Sequence, residues 1–300
     1  MKFSCRFILV IFAFICCCRP QPGFSEALTD QLERVVAVPQ DPQRVVAFAP
    51  SLTEIIYAIG QGHRLVGATV YSNFPAAAQK LPRVGTYVHL DLERIVALKP
   101  DLCIATKDGN PRTVIDRLAA LNIPVYTVNP SDLKSVGQTI LELGTILNAS
   151  EIAAAVVEDI NRRVRKVRDL VDGLSDRPRV FFQIGVKPII SVGTDTFIHE
   201  LIVFAGGRNL AAGSNPYPHY SWEQVIGLSP DVIVITTMAR QAVFEQVRKT
   251  WHKWSRLPAA KNGRIYLVDS DVFDRPSPRL VDGLEQLAVL LHPKLKMQLQ

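Results

Sequence analysis

The side chains that could do chemistry in this chain form no known catalytic arrangement. The six histidines lack the spacing of a zinc site and are spread along the chain: His63, His89, His199, His219, His252 and His292. No Gly-x-Ser-x-Gly elbow, phosphate loop or His-Glu-x-x-His motif occurs, and Gly60-Gln-Gly62 follows a helical pattern instead of a strand. We therefore predict no catalytic residue and no metal site, and a secreted α/β hydrolase is the weakest alternative.

Two tyrosines stand at matching places in the chain. Tyr87 and Tyr217 each precede one of two similar segments, and His89 and His219 follow two residues later. A tyrosine offers a broad apolar ring and one polar oxygen, which suits a flat ligand with a polar rim. Phenolic oxygen also ligates ferric iron, so the same positions would serve an iron-containing ligand. These residues alone leave both chemistries open.

The similar segments indicate that the chain is built from two related halves. Residues 93–106 match residues 223–236 in Glu, Leu, Pro, Asp and Thr, at an offset of 223 minus 93, or 130. Residues 54–60 match residues 200–206 at an offset of 200 minus 54, or 146. Both halves alternate β-branched runs with helical patterns, which indicates parallel sheets flanked by helices. The predicted strands are 44–48, 66–70, 179–183 and 232–236.

Capping residues predict where three of the helices begin. Ser51-Leu-Thr-Glu54 is a capping box that predicts a helix starting after the first strand. The repeated helices, residues 92–98 and 222–228, are expected to begin after Asp91 and Ser221. Each of these two helices stops before a proline, and a strand follows it.

One long helix is predicted between the halves. Apolar residues recur at spacings of three and four from Ser150 to Gly173, without a proline. At about 1.5 Å per residue such a helix spans roughly 35 Å, the diameter of a small domain. The predicted fold class is therefore α/β, with two similar lobes of parallel-type sheet, residues 42–148 and 178–293, joined by a helix over residues 149–174.

The amino terminus has the pattern of a secretory signal. Lys2 and Arg6 precede an apolar run, residues 7–18, which is too short to span a bilayer core of roughly 30 Å. Small residues then lead to an expected cleavage after Ser25, so residues 1–25 are predicted to be a signal peptide. Cys16 to Cys18 leave a lipid-anchored form as the minor alternative.

The composition is that of a folded protein with a sizeable core. Hydrophobic residues make up 48% and charged residues 21%, which argues against disorder and against a multi-span membrane protein. The net charge of +6 includes three cations of the leader, and no basic run follows, so we expect no nucleic-acid partner. Cys103 is the one cysteine outside the leader, and its apolar neighbours predict a buried, inert thiol.

Several longer stretches carry a resemblance to a known family. The chain resembles the helix-linked class of periplasmic substrate-binding proteins that serve ABC importers, most closely the cobalamin-binding members. The resemblance covers about residues 44–293, and its most specific stretches are residues 71–75, 92–102, 179–185 and 270–279. A shared fold does not by itself fix the ligand.

The resemblance implies a set of ligand contacts. Tyr71 matches a family tyrosine that packs on the corrin ring, and Tyr87 and Tyr217 stand where similar cobalamin binders carry tryptophan. Ile190 takes the place of a family phenylalanine that lines the pocket. Asp271 and Arg275 match a polar pair near the amide fringe of the ligand.

The resemblance also implies a membrane partner. Glu93 and Glu223 match family glutamates that protrude from the two lobes and engage arginines of the permease. A carboxylate also favours the positive end of its own helix, worth roughly 0.3 to 1 kcal/mol, which is the structural alternative for each residue. We expect a monomeric periplasmic protein that carries cobalamin or another corrinoid to an ABC importer, without a covalent cofactor. A haem or ferric-siderophore carrier of the same fold is the runner-up.

Overall fold

The structure is a computed structural model that describes residues 25–213, 215–236 and 241–299. The predicted signal peptide, apart from Ser25, lies outside the described residues. Within these residues no helix is both long enough and apolar enough to cross a bilayer.

The described residues form strands and helices in alternation. The strands are β1 (Ser25–Thr29), β2 (Val35–Pro39), β3 (Val45–Ala47), β4 (Leu65–Ala68), β5 (Leu102–Thr106), β6 (Val125–Val128), β7 (Arg179–Val186), β8 (Ile189–Ser191), β9 (Arg208–Asn209), β10 (His219–Tyr220), β11 (Val232–Ile235) and β12 (Ile265–Leu267). The α-helices are α1 (Pro50–Ala58), α2 (Leu92–Ala97), α3 (Arg112–Ala120), α4 (Leu133–Ile146), α5 (Ser150–Asp172), α6 (Phe197–Phe204), α7 (Trp222–Leu228), α8 (Gln241–His252), α9 (Pro258–Lys261), α10 (Ser270–Phe273), α11 (Leu280–Leu291) and α12 (Lys296–Leu299). Short 3-10 helices cover Gly62–Arg64, Ala76–Lys80 and Pro293–Leu295.

Each half of the chain contains one main sheet. The amino-terminal sheet has the strand order β4-β3-β5-β6, and all its pairs are parallel. The carboxy-terminal sheet has the order β10-β8-β7-β11-β12, with β9 also paired to β7. Its strands β7, β9, β11 and β12 are parallel, whereas β8 and β10 add antiparallel pairs at one edge. The predicted fold class is confirmed, and the antiparallel edge is an addition that the sequence pattern did not indicate.

An antiparallel hairpin, β1–β2, precedes the first lobe and was not predicted. Its turn is held by Asp30, which accepts hydrogen bonds from the backbone N–H groups of Leu32 and Arg34 at 2.9 Å each. The Arg34 guanidinium reaches β6, where it donates to the Thr127 hydroxyl at 2.6 Å. The hairpin therefore extends the structure beyond the lobe boundary expected at residue 42.

The predicted capping box at residues 51–54 is wrong. Helix α1 begins at Pro50, its N-cap is Ala49, and no side chain caps it. Proline is favoured at the first helical position because its fixed φ suits the helix and its missing N–H is not needed there. Ser51 is therefore inside the first turn, and the Glu54 carboxylate binds arginines instead of a backbone N–H.

The caps predicted for the repeated helices are confirmed. Asp91 accepts a hydrogen bond from Arg94 N–H at 3.1 Å at the start of α2, and Ser221 accepts one from Gln224 N–H at 3.2 Å at the start of α7. These side chains satisfy donors that the first turn of a helix leaves free.

Helix α5 joins the cores of the two lobes. Its buried residues belong to one hydrophobic cluster that contains Ile104 of β5 and Phe182 of β7. Beside these buried residues, Arg163 donates to Asp282 at 2.7 Å and to Glu285 at 2.9 Å, both on α11. Cys103 is buried in β5, and burial raises the pKa of its thiol, which keeps it in the unreactive protonated form.

Candidate functional site

A cavity of about 340 Å³ lies between the lobes and is open to solvent. The first lobe contributes Tyr71, Tyr87 and Asp108 to its wall. The second lobe contributes Tyr217 and a stretch that follows β12, which includes Asp271, Asp274 and Arg275. Five of the six predicted ligand-binding residues thus line one cavity: Tyr71, Tyr87, Tyr217, Asp271 and Arg275.

Tyr71 and Tyr87 enter the cavity from loops at the carboxyl ends of parallel strands. Tyr71 follows β4, is about half exposed and lines the cavity. The loop that carries Tyr87 is held by Asn110, whose side-chain amide donates to Tyr87 O at 2.7 Å. The Tyr87 ring also lies against Gly109, where an added Cβ would come within 2.0 Å of the ring. Glycine is therefore required at residue 109 for this ring position.

Tyr217 enters from the opposite lobe, on the loop that precedes β10. Its backbone N–H donates to the Asn215 side chain at 3.0 Å. The Asn215 carbonyl lies so close to Gly193 that an added Cβ would approach it to 1.9 Å. Gly193 thus permits the close approach that sets this loop.

The cavity environment keeps the phenols protonated. Burial, followed by the charge of Asp108, raises the pKa of Tyr87. The pKa of Tyr217 is raised by burial, with further contributions from Asp108, Tyr87 and Asp274. At neutral pH both side chains are therefore neutral hydrogen-bond donors.

Asp108 and Asp274 are cavity residues that the sequence reasoning missed. Asp274 accepts a hydrogen bond from the Thr236 hydroxyl at 2.8 Å, and burial raises its pKa to about 7. Asp108 lies two residues beyond the end of β5. The carboxyl ends of parallel strands commonly deliver site residues, and this signal could have identified Asp108.

Arg275 is held by partners on both sides of the cavity. Its guanidinium donates to Glu54 at 2.8 Å and to the Asn73 side chain at 2.8 Å, and it pairs with Asp271. Asn73 in turn donates to Asp271 at 2.6 Å. The polar pair predicted at residues 271 and 275 is therefore an ion pair, and its charge is largely compensated within the protein.

Ile190 is not among the residues that line this cavity. It lies on β8 opposite His219, and its side chain packs over Gly185, where an added Cβ would approach Ile190 Cγ1 to 2.7 Å. His89 and His219 are exposed and likewise do not line the cavity among the described residues. A ligand contact by Ile190 stays a prediction.

Glu93 and Glu223 lie outside the cavity, in the first turns of α2 and α7. Both side chains are exposed. Hydrogen bonds from the Ser221 hydroxyl and from its own backbone N–H lower the pKa of Glu223, so that this carboxylate is ionised at neutral pH. The two lobes thus carry exposed acidic groups at equivalent helix starts.

The chain belongs to the periplasmic binding protein family, whose model matches residues 45–272. The vitamin B12-binding protein of Yersinia pestis (strain Pestoides F) is 33% identical over 249 residues, which cover 83% of this chain and 86% of that protein. The solved periplasmic vitamin B12-binding protein of Vibrio cholerae is similar with a TM-score of 0.75 and 30% identity, over 86% of this chain and 100% of that one.

A haem-binding relative is equally similar in fold. A periplasmic heme-binding protein from Pseudomonas aeruginosa gives a TM-score of 0.77 at 30% identity, over 84% of this chain and 93% of that one. Structural similarity alone therefore does not distinguish between the two ligand classes.

Proposed function

We propose that this protein captures cobalamin or a related corrinoid between its lobes in the periplasm and delivers it to the permease of an ABC importer. The observation that carries this proposal is a cavity with tyrosines from both lobes, in a chain 33% identical to vitamin B12-binding relatives. The function is binding and transfer, and no residue is assigned a catalytic role.

The chemistry of the cavity suits a macrocycle with an amide rim. The rings of Tyr71, Tyr87 and Tyr217 offer apolar faces from both sides. Asp108 and Asp274 can accept hydrogen bonds from amide N–H groups, and the protonated phenols can donate to amide carbonyls. The cavity is open to solvent, so parts of a bound guest can extend beyond its walls.

Haem is the second candidate, because phenols can ligate ferric iron and a haem-binding relative shares the fold. The charges near the cavity oppose it. Haem carries two propionate groups, whereas the cavity wall bears Asp108, Asp271 and Asp274, and its Arg275 is already paired with Glu54 and Asp271. A ferric siderophore would meet the same obstacle where it is anionic.

Parallel titrations test the choice of ligand. The mature protein is titrated with cobalamin, cobinamide and haemin, and binding heat and visible absorbance are followed. We expect corrinoid binding that is at least tenfold tighter than haemin binding. A haem absorption spectrum typical of tyrosinate ligation, with no heat of binding for either corrinoid, would replace the proposal with the haem alternative.

Glu93 and Glu223 are proposed as the contacts to the permease. They are exposed, they occupy equivalent helix starts, and they lie outside the ligand cavity. Exposed charges of this kind chiefly set approach and orientation. The protein is proposed to work as a monomer, since one chain carries both lobes and both glutamates.

A further inference from the structure

Two glutamates at equivalent positions of the duplicated halves make contacts across the lobes. Glu54 lies on α1 and Glu200 on α6, in the segments that repeat along the chain. Both helices end in the same way, since Gly60 and Gly206 have φ values of 77° and 80°. Equivalent helices thus point equivalent carboxylates towards the opposite lobe.

Glu54 forms a dense set of contacts with the second lobe. Its carboxylate accepts hydrogen bonds from Arg275 at 2.8 Å, from Ser277 at 2.7 Å and from Arg279 at 2.9 and 2.8 Å. Its side chain retains 2% of its accessible surface, whereas Arg275 retains 10% and Arg279 retains 19%. Both carboxylate oxygens are therefore occupied in a nearly dry environment.

The arginines that bind Glu54 connect it to the ligand cavity. Arg275 lines the cavity and also donates to Tyr71 O at 3.1 Å, on the loop that carries a cavity tyrosine. Arg279 lies over the Phe74 ring, with its guanidinium carbon 4.1 Å from the ring centroid. Glu54 thus organises cavity walls on both sides without lining the cavity itself among the described residues.

Glu200 makes a much weaker contact across the lobes. It accepts one hydrogen bond, from the Leu133 N–H at the start of α4, at 2.7 Å. No cation pairs with it among the described residues. Burial raises the pKa of Glu200. Glu200 is therefore a natural control for an interlobe carboxylate that does not reach the cavity.

We propose that Glu54 is a positioning residue for the binding site, which fixes Arg275 and the Tyr71 loop in the geometry that the ligand needs. The ligand part of this inference rests on the proposed function, whereas the effect on the two cavity walls does not. Removal of the charge of Glu54 leaves the buried Arg275 and the partly buried Arg279 without their shared counterion, which is unfavourable. Arg275 then keeps Asp271 as its charged partner, and its guanidinium is free to turn away from α1 towards solvent.

The test compares Glu54→Gln with Glu200→Gln in the full mature protein. Hydrogen–deuterium exchange of the ligand-free protein reports local order without reference to any ligand. We expect faster exchange in residues 71–75 and 270–279 for Glu54→Gln, and faster exchange only near residues 131–135 for Glu200→Gln. Unchanged exchange in both cavity segments of Glu54→Gln would overturn the proposal.

Calorimetric titration with cobalamin then tests whether Glu54 affects ligand binding through Arg275. We expect Glu54→Gln to weaken binding at least tenfold and Glu200→Gln to weaken it less than threefold, each measured well below the melting temperature. In an Arg275→Gln background, Glu54→Gln should cause no further loss. A full additional loss in that background would show that Glu54 does not act through Arg275.

A second variant keeps the test valid if Glu54→Gln does not fold. Arg279→Lys keeps the charge but loses the two-pronged contact to Glu54, and it should show the same exchange pattern in weaker form. If the unchanged protein binds haemin and not cobalamin, the titrations are repeated with haemin. That result would remove the corrinoid proposal while the exchange data still decide the role of Glu54.

Discussion

The two copies of the repeated segment, around α2 and α7, have kept their backbone contacts and have diverged at the cavity. In both copies an aspartate after the helix accepts a hydrogen bond from the backbone N–H of an arginine at the start of a neighbouring strand. Asp101 accepts from Arg44, just before β3, and Asp231 accepts from Arg179, the first residue of β7, each at 2.9 Å. Beyond these contacts the copies differ, because Tyr87 lies on a loop held by Asn110 whereas the loop of Tyr217 joins an antiparallel strand edge. The aspartates that bind the backbone are thus the same in both copies, whereas the loops that carry the cavity tyrosines differ.

The largest effect is expected from removing the aromatic side chain that each copy supplies. Tyr87→Ala with Tyr217→Ala should weaken cobalamin binding about 100-fold, because two ring contacts of roughly 1.5 kcal/mol each are lost. Calorimetric titration measures the change, and the matched Tyr→Phe pair should stay within about threefold if ring area dominates. A loss below threefold for the alanine pair would exclude these tyrosines as principal contacts.

The next effect separates binding from delivery. Glu93→Ala with Glu223→Ala should lower cobalamin uptake about tenfold, because complementary charges steer association. Cobalamin affinity of the purified protein should be unchanged, since both residues lie outside the cavity. Glu151→Ala, at the exposed start of α5, is the matched control. Full uptake by the double variant would refute the docking role.

Two equivalent glycines should differ in their tolerance of a side chain. Gly60→Ala should cost about 1 kcal/mol in the free energy of unfolding, because φ is positive and the nearest atom, Ile152 Cδ1, lies 3.5 Å from the added Cβ. Gly206→Ala should cost about 3 kcal/mol, because the added Cβ would lie 2.5 Å from Val171 Cγ1 and 2.7 Å from His292 Nε2. Urea denaturation of both variants measures the difference, and equal costs would contradict the packing argument.

A pH dependence of stability is expected from Asp274. The folded protein raises the pKa of this carboxyl from 3.8 to about 7, so the folded state binds the proton more tightly than the unfolded state does. The resulting stabilisation is complete below the unfolded pKa and is lost as the pH rises through about 7. At each pH the melting temperature of the unchanged protein is subtracted from that of Asp274→Asn. This difference should be about 5 °C more positive at pH 8 than at pH 5. The same difference at both pH values would show that folding does not strongly raise the pKa of Asp274.

Local patterns predicted the repeated scaffold well. The caps Asp91 and Ser221 and the strands that follow their helices depend on short-range chemistry, which a sequence displays directly. The capping box at Ser51 was wrong, because the helix begins at Pro50, two residues earlier than that cap implies, and because two arginines more than 200 residues away attract Glu54.

The parts of the site that escaped prediction depend on long-range contacts. Asp274 lines the cavity and binds Thr236, which lies 38 residues away in the chain, and no local pattern marks such a position. The resemblance supplied Asp271 and Arg275, but not their pairing with Glu54 and Asn73. Ile190 is a residue that the resemblance supplied but that does not line the cavity, since its side chain packs over Gly185 on its own sheet.

The passage of α5 through a continuous apolar cluster has a thermodynamic consequence. Because Ile160 and Val167 pack in the same cluster as residues of both sheets, neither lobe can lose its interior without exposing part of the other. Heating should therefore produce a single cooperative endotherm, with matching calorimetric and van't Hoff enthalpies. A carrier of this design melts as one unit, although its outline has two parts.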